Sequence, residues 1–269
     1  MNTPAFNWED ILSLAASYRM PLEKKRAILR EFLQCQWLDF LYQQKESQNL
    51  HFIGGTSLRI LRGLDRFSED LDFDNTGLST LELKKLLAGT AHEFERMGFR
   101  PEYTFRGIKI NTWRADLKFG GSALKTIGVS AHEDEKLSIQ FNATKPLVPI
   151  EREIVLLNRF GVTEQIITNT LPTLLSQKTL AALERRTVKA RDFYDIAWLL
   201  SRGVAPSLPT LQHQNIDTLA DFKHRLQKRF LEISPDLKRL KSQLEPFLID
   251  QKKVSFLDYF DQIIGQMEE

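Results

Sequence analysis

HFIGGTSLRILRGLDRFSEDLDFD, residues 51–74, sets two glycines, a short helical pattern and three alternating carboxylates within 24 residues. Asp70, Asp72 and Asp74 alternate with Leu71 and Phe73. An extended chain therefore carries the three charges on one face and the two apolar side chains on the other. Charges of one sign held that close repel, and a divalent cation is the natural counterweight, because hard cations take carboxylate oxygens.

Just upstream, LHFIGG reads as a buried strand that ends in a tight turn at Gly54 and Gly55. TSLRILRG then reads as a helix, with Thr56 as its cap and Gly63 closing it. Two residues without side chains at such a turn let backbone N–H groups approach an anion, and a helix N-terminus favours phosphate. Ser57 adds a hydroxyl donor. A phosphate cradle beside two oxygen ligands for magnesium, Asp70 and Asp72, is the equipment of nucleotidyl transfer. Each part alone has an ordinary explanation: a Gly-Gly turn is commonly steric, and alternating aspartates can line a solvated edge strand. The combination, in this order, points to chemistry.

Working outward, residues before 46 read as helical, with Asn7 starting one helix and Pro21 opening a longer one over PLEKKRAILREFLQCQWLDFLYQQ. Beyond residue 74, LSTLELKKLLAGTAHEFERMG is an amphipathic helix, and EYTFRGIKINTW, ADLKFGG and KLSIQFN are strand-like. From about residue 151 the period reads as helical to the end. The pattern predicts an α+β chain: N-terminal helices over 1–46, a mixed core over 47–148, and a helical domain over 149–269.

Composition narrows the classes. Lys and Arg number 37 against 35 Asp and Glu, a formal charge of +2, so no global electrostatic pull toward nucleic acid operates. The lone Cys35 cannot form an internal disulfide, and no Cys/His cluster suggests zinc. No run approaches 18 apolar residues, so no membrane partner is expected, and the N-terminus lacks a signal pattern. A cytoplasmic protein is the expectation.

Gly-Gly-Thr-Ser-Leu followed by Arg-Phe-Ser-Glu-Asp-Leu-Asp-Phe resembles the signature of the AbiEii/AbiGii toxin family, the nucleotidyltransferase-like toxins of toxin–antitoxin and abortive-infection systems. The family's second motif is similar to LLSQKTLAALERRTVKARDFYDIAWLL: a lysine in an apolar helix, a basic stretch, then Arg-Asp-x-x-Asp. The resemblance spans roughly residues 50–200. It implies a polymerase-β-like nucleotidyltransferase core with a helical partner domain. By position it implies that Gly54, Gly55, Thr56, Ser57, Arg66, Ser68, Lys178 and Arg185 bind the nucleotide. It also implies that Asp70 and Asp72 bind metal, and that Lys178, Asp192 and Asp195 join these two in catalysis.

The family commonly carries a third acidic residue on a neighbouring strand; Gln140 stands at that position here, and Asp116 is the nearest acidic candidate for a metal ligand. The expected cofactor is magnesium, with manganese able to replace it, and the expected substrate is an NTP. RNA, in particular the 3′ end of tRNA, is the implied acceptor, and a cognate antitoxin the implied partner. Two other readings stay open: an acceptor that is a protein or small molecule, and a degenerate member that binds nucleotide without activity.

The basic segments also have a structural explanation. Lys178, Arg185 and Lys189 share a face if the helix runs unbroken through Thr187 and Val188, yet charge runs usually line a solvated face. Asp192 and Asp195 can equally pair with neighbouring cations or cap a helix. KHRLQKRF can follow an RNA backbone or line an exposed amphipathic helix.

Overall fold

In the computed structural model, residues 7–99, 101–120, 124–125, 128–130, 132 and 134–267 are described. Internal contacts divide the chain into two units. The first comprises Met1–Gly63, Phe67–Lys145 and Ile154–Thr168; the second comprises Leu64–Arg66, Pro146–Glu153 and Asn169–Glu269.

The first unit is built on a sheet in which α1 (Trp8–Ser17) and α2 (Lys25–Tyr42) precede β1 (Leu50–Ile53), α3 (Gly54–Arg62), β2 (Leu71–Asn75) and α4 (Thr80–Arg96). The strands β3 (Glu102–Lys109), β4 (Thr112–Phe119), β5 (Leu137–Thr144), β6 (Arg152–Arg159) and β7 (Val162–Asn169) complete it in the order β3-β4-β5-β2-β1-β7-β6. The pairing is mixed: β2 runs antiparallel to β1 and parallel to β5, while β1 runs parallel to β7.

Period-two alternation explains why one face is core. Phe52, Phe73 and Phe141 pack in a row across three strands, the first pair tilted at 5.3 Å and the second stacked at 4.7 Å between centroids. Trp37 of α2 stacks on Phe141, and Phe94 of α4 meets Phe119 edge-on. Aromatic pairs at these spacings add to the area that they bury. Helix α4 starts on a capping box at Ser79 and Glu82, and α1 is capped by Asn7, whose side chain accepts from the Glu9 N–H.

The second unit holds α5 (Leu171–Glu184), α6 (Ala190–Leu200), α7 (Leu208–Leu211), α8 (Leu219–Ile233), α9 (Leu237–Leu244) and α10 (Phe260–Gly265). Phe193, Phe230 and Phe260 form its aromatic centre.

Four expectations are corrected. Residues 152–169 form the hairpin β6–β7, where the sequence pattern suggested helix. Its apolar run is ambiguous because Ile154 and Leu156 stay on the exposed side, and its turn places Phe160 as well as Gly161 at positive φ, an unusual choice for Phe. Helix α2 begins at Lys25, beyond Pro21. Helix α3 begins at Gly54, so Thr56 lies inside its first turn and does not cap it. Residues 185–189 break the second motif into two helices, so Lys178, Arg185 and Lys189 do not share one helical face. Gly63 does close α3, in the left-handed conformation.

Candidate active site

The glycine turn is built around one carboxylate. Gly54 has φ +78°, and a Cβ added there would lie 2.6 Å from Asp72 Oδ2. Only glycine allows both that backbone and that approach. The register sets Ile53 of β1 opposite Asp72 of β2, which brings the N-terminus of α3 beside the carboxylate. No side chain caps that N-terminus. An uncapped helix start carries free N–H donors and partial positive charge.

The hydroxyls that follow turn inward. Thr56 donates to the Asp70 carbonyl, tying the helix start to the entry of β2. Ser57 is fully buried and shares a hydrogen bond with Thr168, 3.1 Å away. These side chains hold the turn together; the groups left to meet a phosphate are the backbone amides. The segment leading into Asp70 is fastened from α2. Gln34 Nε2 donates to the carbonyls of Ser68 (3.2 Å) and Glu69 (2.8 Å), and Arg30 pairs with Glu69 at 2.7 Å. Ser68 thus enters through its backbone.

Across the sheet a polar row runs from Asp72. Asn142 of β5 lies in register with it and donates Nδ2 to Asp72 Oδ1 at 3.0 Å. Arg114 of β4, in register with Asn142, donates Nε to Asn142 Oδ1 at 3.1 Å. The residue facing Asp72 is therefore Asn142. Gln140, expected there, lies two positions earlier and donates to Asp116 Oδ1 at 3.0 Å. Asp116 sits on β4, two strands from β2, roughly 10 Å away at ~4.8 Å per strand. Its carboxylate also approaches Arg106 at 3.6 Å.

The second motif forms a charge cluster inside the second unit. Arg66 donates Nε and Nη2 to Asp195 at 2.7 and 2.6 Å, a bidentate pair. Both are sealed from solvent, with side chains 1% and 0% exposed. Arg66, for which a nucleotide contact is expected, anchors Asp195. Lys178 Nζ reaches Asp195 at 2.8 Å and Asp192 at 3.9 Å, and Arg185 pairs with Asp192. Burial alone would raise the Asp195 carboxyl, but Arg66 and Lys178 outweigh it and hold the group below the usual carboxylate range. Asp195 in turn raises the Arg66 guanidinium despite burial. The Lys228 region of α8 is an amphipathic helix whose Arg225 and Arg229 pair with Asp221 and Glu232.

The Asp72 carboxylate at the glycine turn, with Asp70 two residues before it, is the residue type that suits a hard cation drawing its remaining ligands from phosphate oxygens. Among the described residues no group of three or more His, Cys, Asp or Glu side chains could hold a metal unaided. Asn142, Arg114 and Gln34 escaped the sequence reading. The alternation of Ser138, Gln140, Asn142 and Thr144 marks a polar strand face, but nothing local says which of the four meets Asp72.

Among solved structures, JHP933 from Helicobacter pylori matches with a TM-score of 0.54 at 19% identity, covering 89% of this chain and 92% of that one. A candidate nucleotidyltransferase from H. pylori matches with the same score and identity, covering 89% and 95%. At this identity the likeness establishes the fold. No curated protein matches the sequence. The AbiEii nucleotidyl transferase toxin family of type IV toxin–antitoxin systems matches residues 38–268, nearly the whole chain. The chain with its glycine turn set on Asp72 belongs to that family of nucleotidyltransferase toxins.

Proposed function

We propose that this nucleotidyltransferase uses magnesium to transfer a nucleoside monophosphate from an NTP to an acceptor hydroxyl, with the 3′ end of tRNA as the acceptor. The observation that carries this is the contact between Gly54 and Asp72: an uncapped helix start that favours phosphate lies against a carboxylate that repels it. A cation held by Asp70 and Asp72 reconciles the two. When bound, magnesium lowers the charge on the triphosphate and polarises the phosphorus.

The chain's own groups bind and orient. The first-turn amides of α3 receive phosphate oxygens, and Asn142 holds the Asp72 carboxylate in one orientation by donating to Oδ1. In the transfer, the acceptor oxygen bonds to the α-phosphorus, the bond to the β-phosphate oxygen breaks, and pyrophosphate leaves; the hydroxyl proton is lost to solvent. Lys178 is proposed as a further cation for nucleotide phosphate. The biological role on this reading is growth inhibition, held in check by a cognate antitoxin in the cytoplasm.

Incubation with each labelled NTP, total tRNA and magnesium tests the proposal. Labelled tRNA is the expected result, abolished by EDTA. Label on protein or small molecules would replace the acceptor, and NTP binding without transfer would make the chain a degenerate member.

A further inference from the structure

On the polar face of the sheet, Arg106 of β3 and Arg114 of β4 stand directly opposite each other in register. Like charges at opposed positions of an antiparallel pair work against each other, and of the two only Arg106 has a carboxylate within ion-pair reach among the described residues. The two arginines differ in how they are held. Arg106 is 58% exposed and only loosely approaches Asp116. Arg114 is half-buried, and its one hydrogen bond among the described residues runs from Nε to the neutral Asn142 amide. No ion pair within 4.0 Å engages it among those residues. Among the described residues the outer edge of its guanidinium thus keeps donors unspent, one residue removed from the Asp72 carboxylate through Asn142.

An arginine fixed by its Nε presents two Nη groups in a fork, the geometry that suits phosphate oxygens. A second guanidinium across the strand pair doubles the positive charge at the same place. We propose that Arg114, with Arg106 beside it, forms a phosphate-binding site on the sheet face next to Asp72, and that Asn142 positions Arg114 and Asp72 relative to each other. The Asn142 amide is oriented by this arrangement: its oxygen accepts from the cation and its nitrogen donates to the carboxylate. An aspartate there would lose the second of these bonds. The inference rests on the nucleotidyl-transfer reading, which supplies two sources of phosphate: the triphosphate and the backbone of an acceptor RNA.

Binding of magnesium tripolyphosphate and of total tRNA, measured on wild type, Arg114→Gln and Arg106→Ala, tests this. Gln at 114 keeps a donor for Asn142 while removing the charge, and exposed Arg106 tolerates alanine, so melting temperatures should hold or rise. A tenfold or greater loss for tripolyphosphate alone places the triphosphate at the pair. A similar loss for tRNA alone, with a shallower salt dependence by roughly 0.7–0.9 per contact, places the RNA backbone there. Unchanged affinity for both probes in folded variants overturns the proposal. Label transfer by wild type in the same preparation separates that failure from failure of the underlying reading, in which wild type neither transfers nor binds either probe.

Discussion

Two of the charge clusters among the described residues are built on opposite plans. In the helical unit every central charge meets an opposite one: Asp195 takes Arg66 and Lys178, and Asp192 takes Arg185 and Lys178. On the sheet, Asp72 and Arg114 each meet the neutral amide of Asn142. Full pairing consumes the charges in holding helices together. Neutral partners fix the direction of a charged group yet leave its charge to be offset by something else. The second plan suits a site that waits for cation and phosphate, and the first suits a buried anchor.

The largest expected effect breaks the comparison on the sheet side. Asp72→Asn should lower NMP transfer by roughly a thousandfold or more, since metal charge stabilisation accounts for several kcal/mol of the barrier. Its thermal melt should hold or rise, because removing the charge relieves repulsion with Asp70. A variant that transfers normally, or that unfolds, would move Asp72 out of the site and into the scaffold.

On the helical side the sign reverses: Asp195→Asn should cost stability first. It takes the bidentate carboxylate away from the buried Arg66 guanidinium, a loss of about 3–5 kcal/mol. Because the folded Asp195 carboxyl titrates below its ordinary unfolded value, its contribution is complete above that value, near 3.9, and fades as pH falls through the folded one. In denaturant melts the gap between wild type and variant should therefore be full at pH 7 and shrink as the pH is taken progressively below about 3.9. Parallel curves would show that the pair adds nothing.

A smaller change sharpens the contact between turn and carboxylate. Gly54→Ala forces an L residue into φ +78° and sets a methyl 2.6 Å from Asp72 Oδ2. The backbone cost is about 1–2 kcal/mol, and a displacement of the carboxylate near 1 Å lowers transfer by roughly a hundredfold. Steady-state kinetics beside a melt distinguishes these, and retained turnover would mean that Asp72 is not placed by the turn.

The smallest effect asks whether the helical cluster also serves the nucleotide. Lys178 is 15% exposed and one of two cations on Asp195, so Arg66 keeps the carboxylate paired after Lys178→Ala. The melt should shift little, while NTP affinity and turnover fall by about tenfold; Lys178→Arg should recover little, because a planar fork cannot replace a compact ammonium. Titration with a non-hydrolysable NTP that finds wild-type affinity would assign Lys178 to anchoring alone.

Much was legible in the sequence because it is local. Alternation of Asp70, Leu71, Asp72 and Phe73 is a property of extended backbone, and it correctly separated the aromatic core face from the polar face. The amphipathic helix after residue 78, Gly63 as the close of its helix and the strand-to-helix turn at Gly54 likewise follow from short-range geometry. Where the local pattern was ambiguous the reading failed, as in the hairpin over 152–169, whose exposed Ile154 and Leu156 blur the distinction between inner and outer faces.

What only the tertiary structure decided concerns partners far apart in the chain. Gln140 and Asn142 have equal claims on one strand face, and a register shift of two residues exchanges them without moving an apolar side chain off the core. The pairing of β5 with β2 chose Asn142, which turned an expected acidic position into an orienting amide shared with Arg114. Arg66 sits in the same motif as Asp70 and Asp72, and the family resemblance implies a nucleotide contact for it. Folding brought it to Asp195, 129 residues away, because a buried guanidinium needs a carboxylate more than it needs its neighbours in sequence.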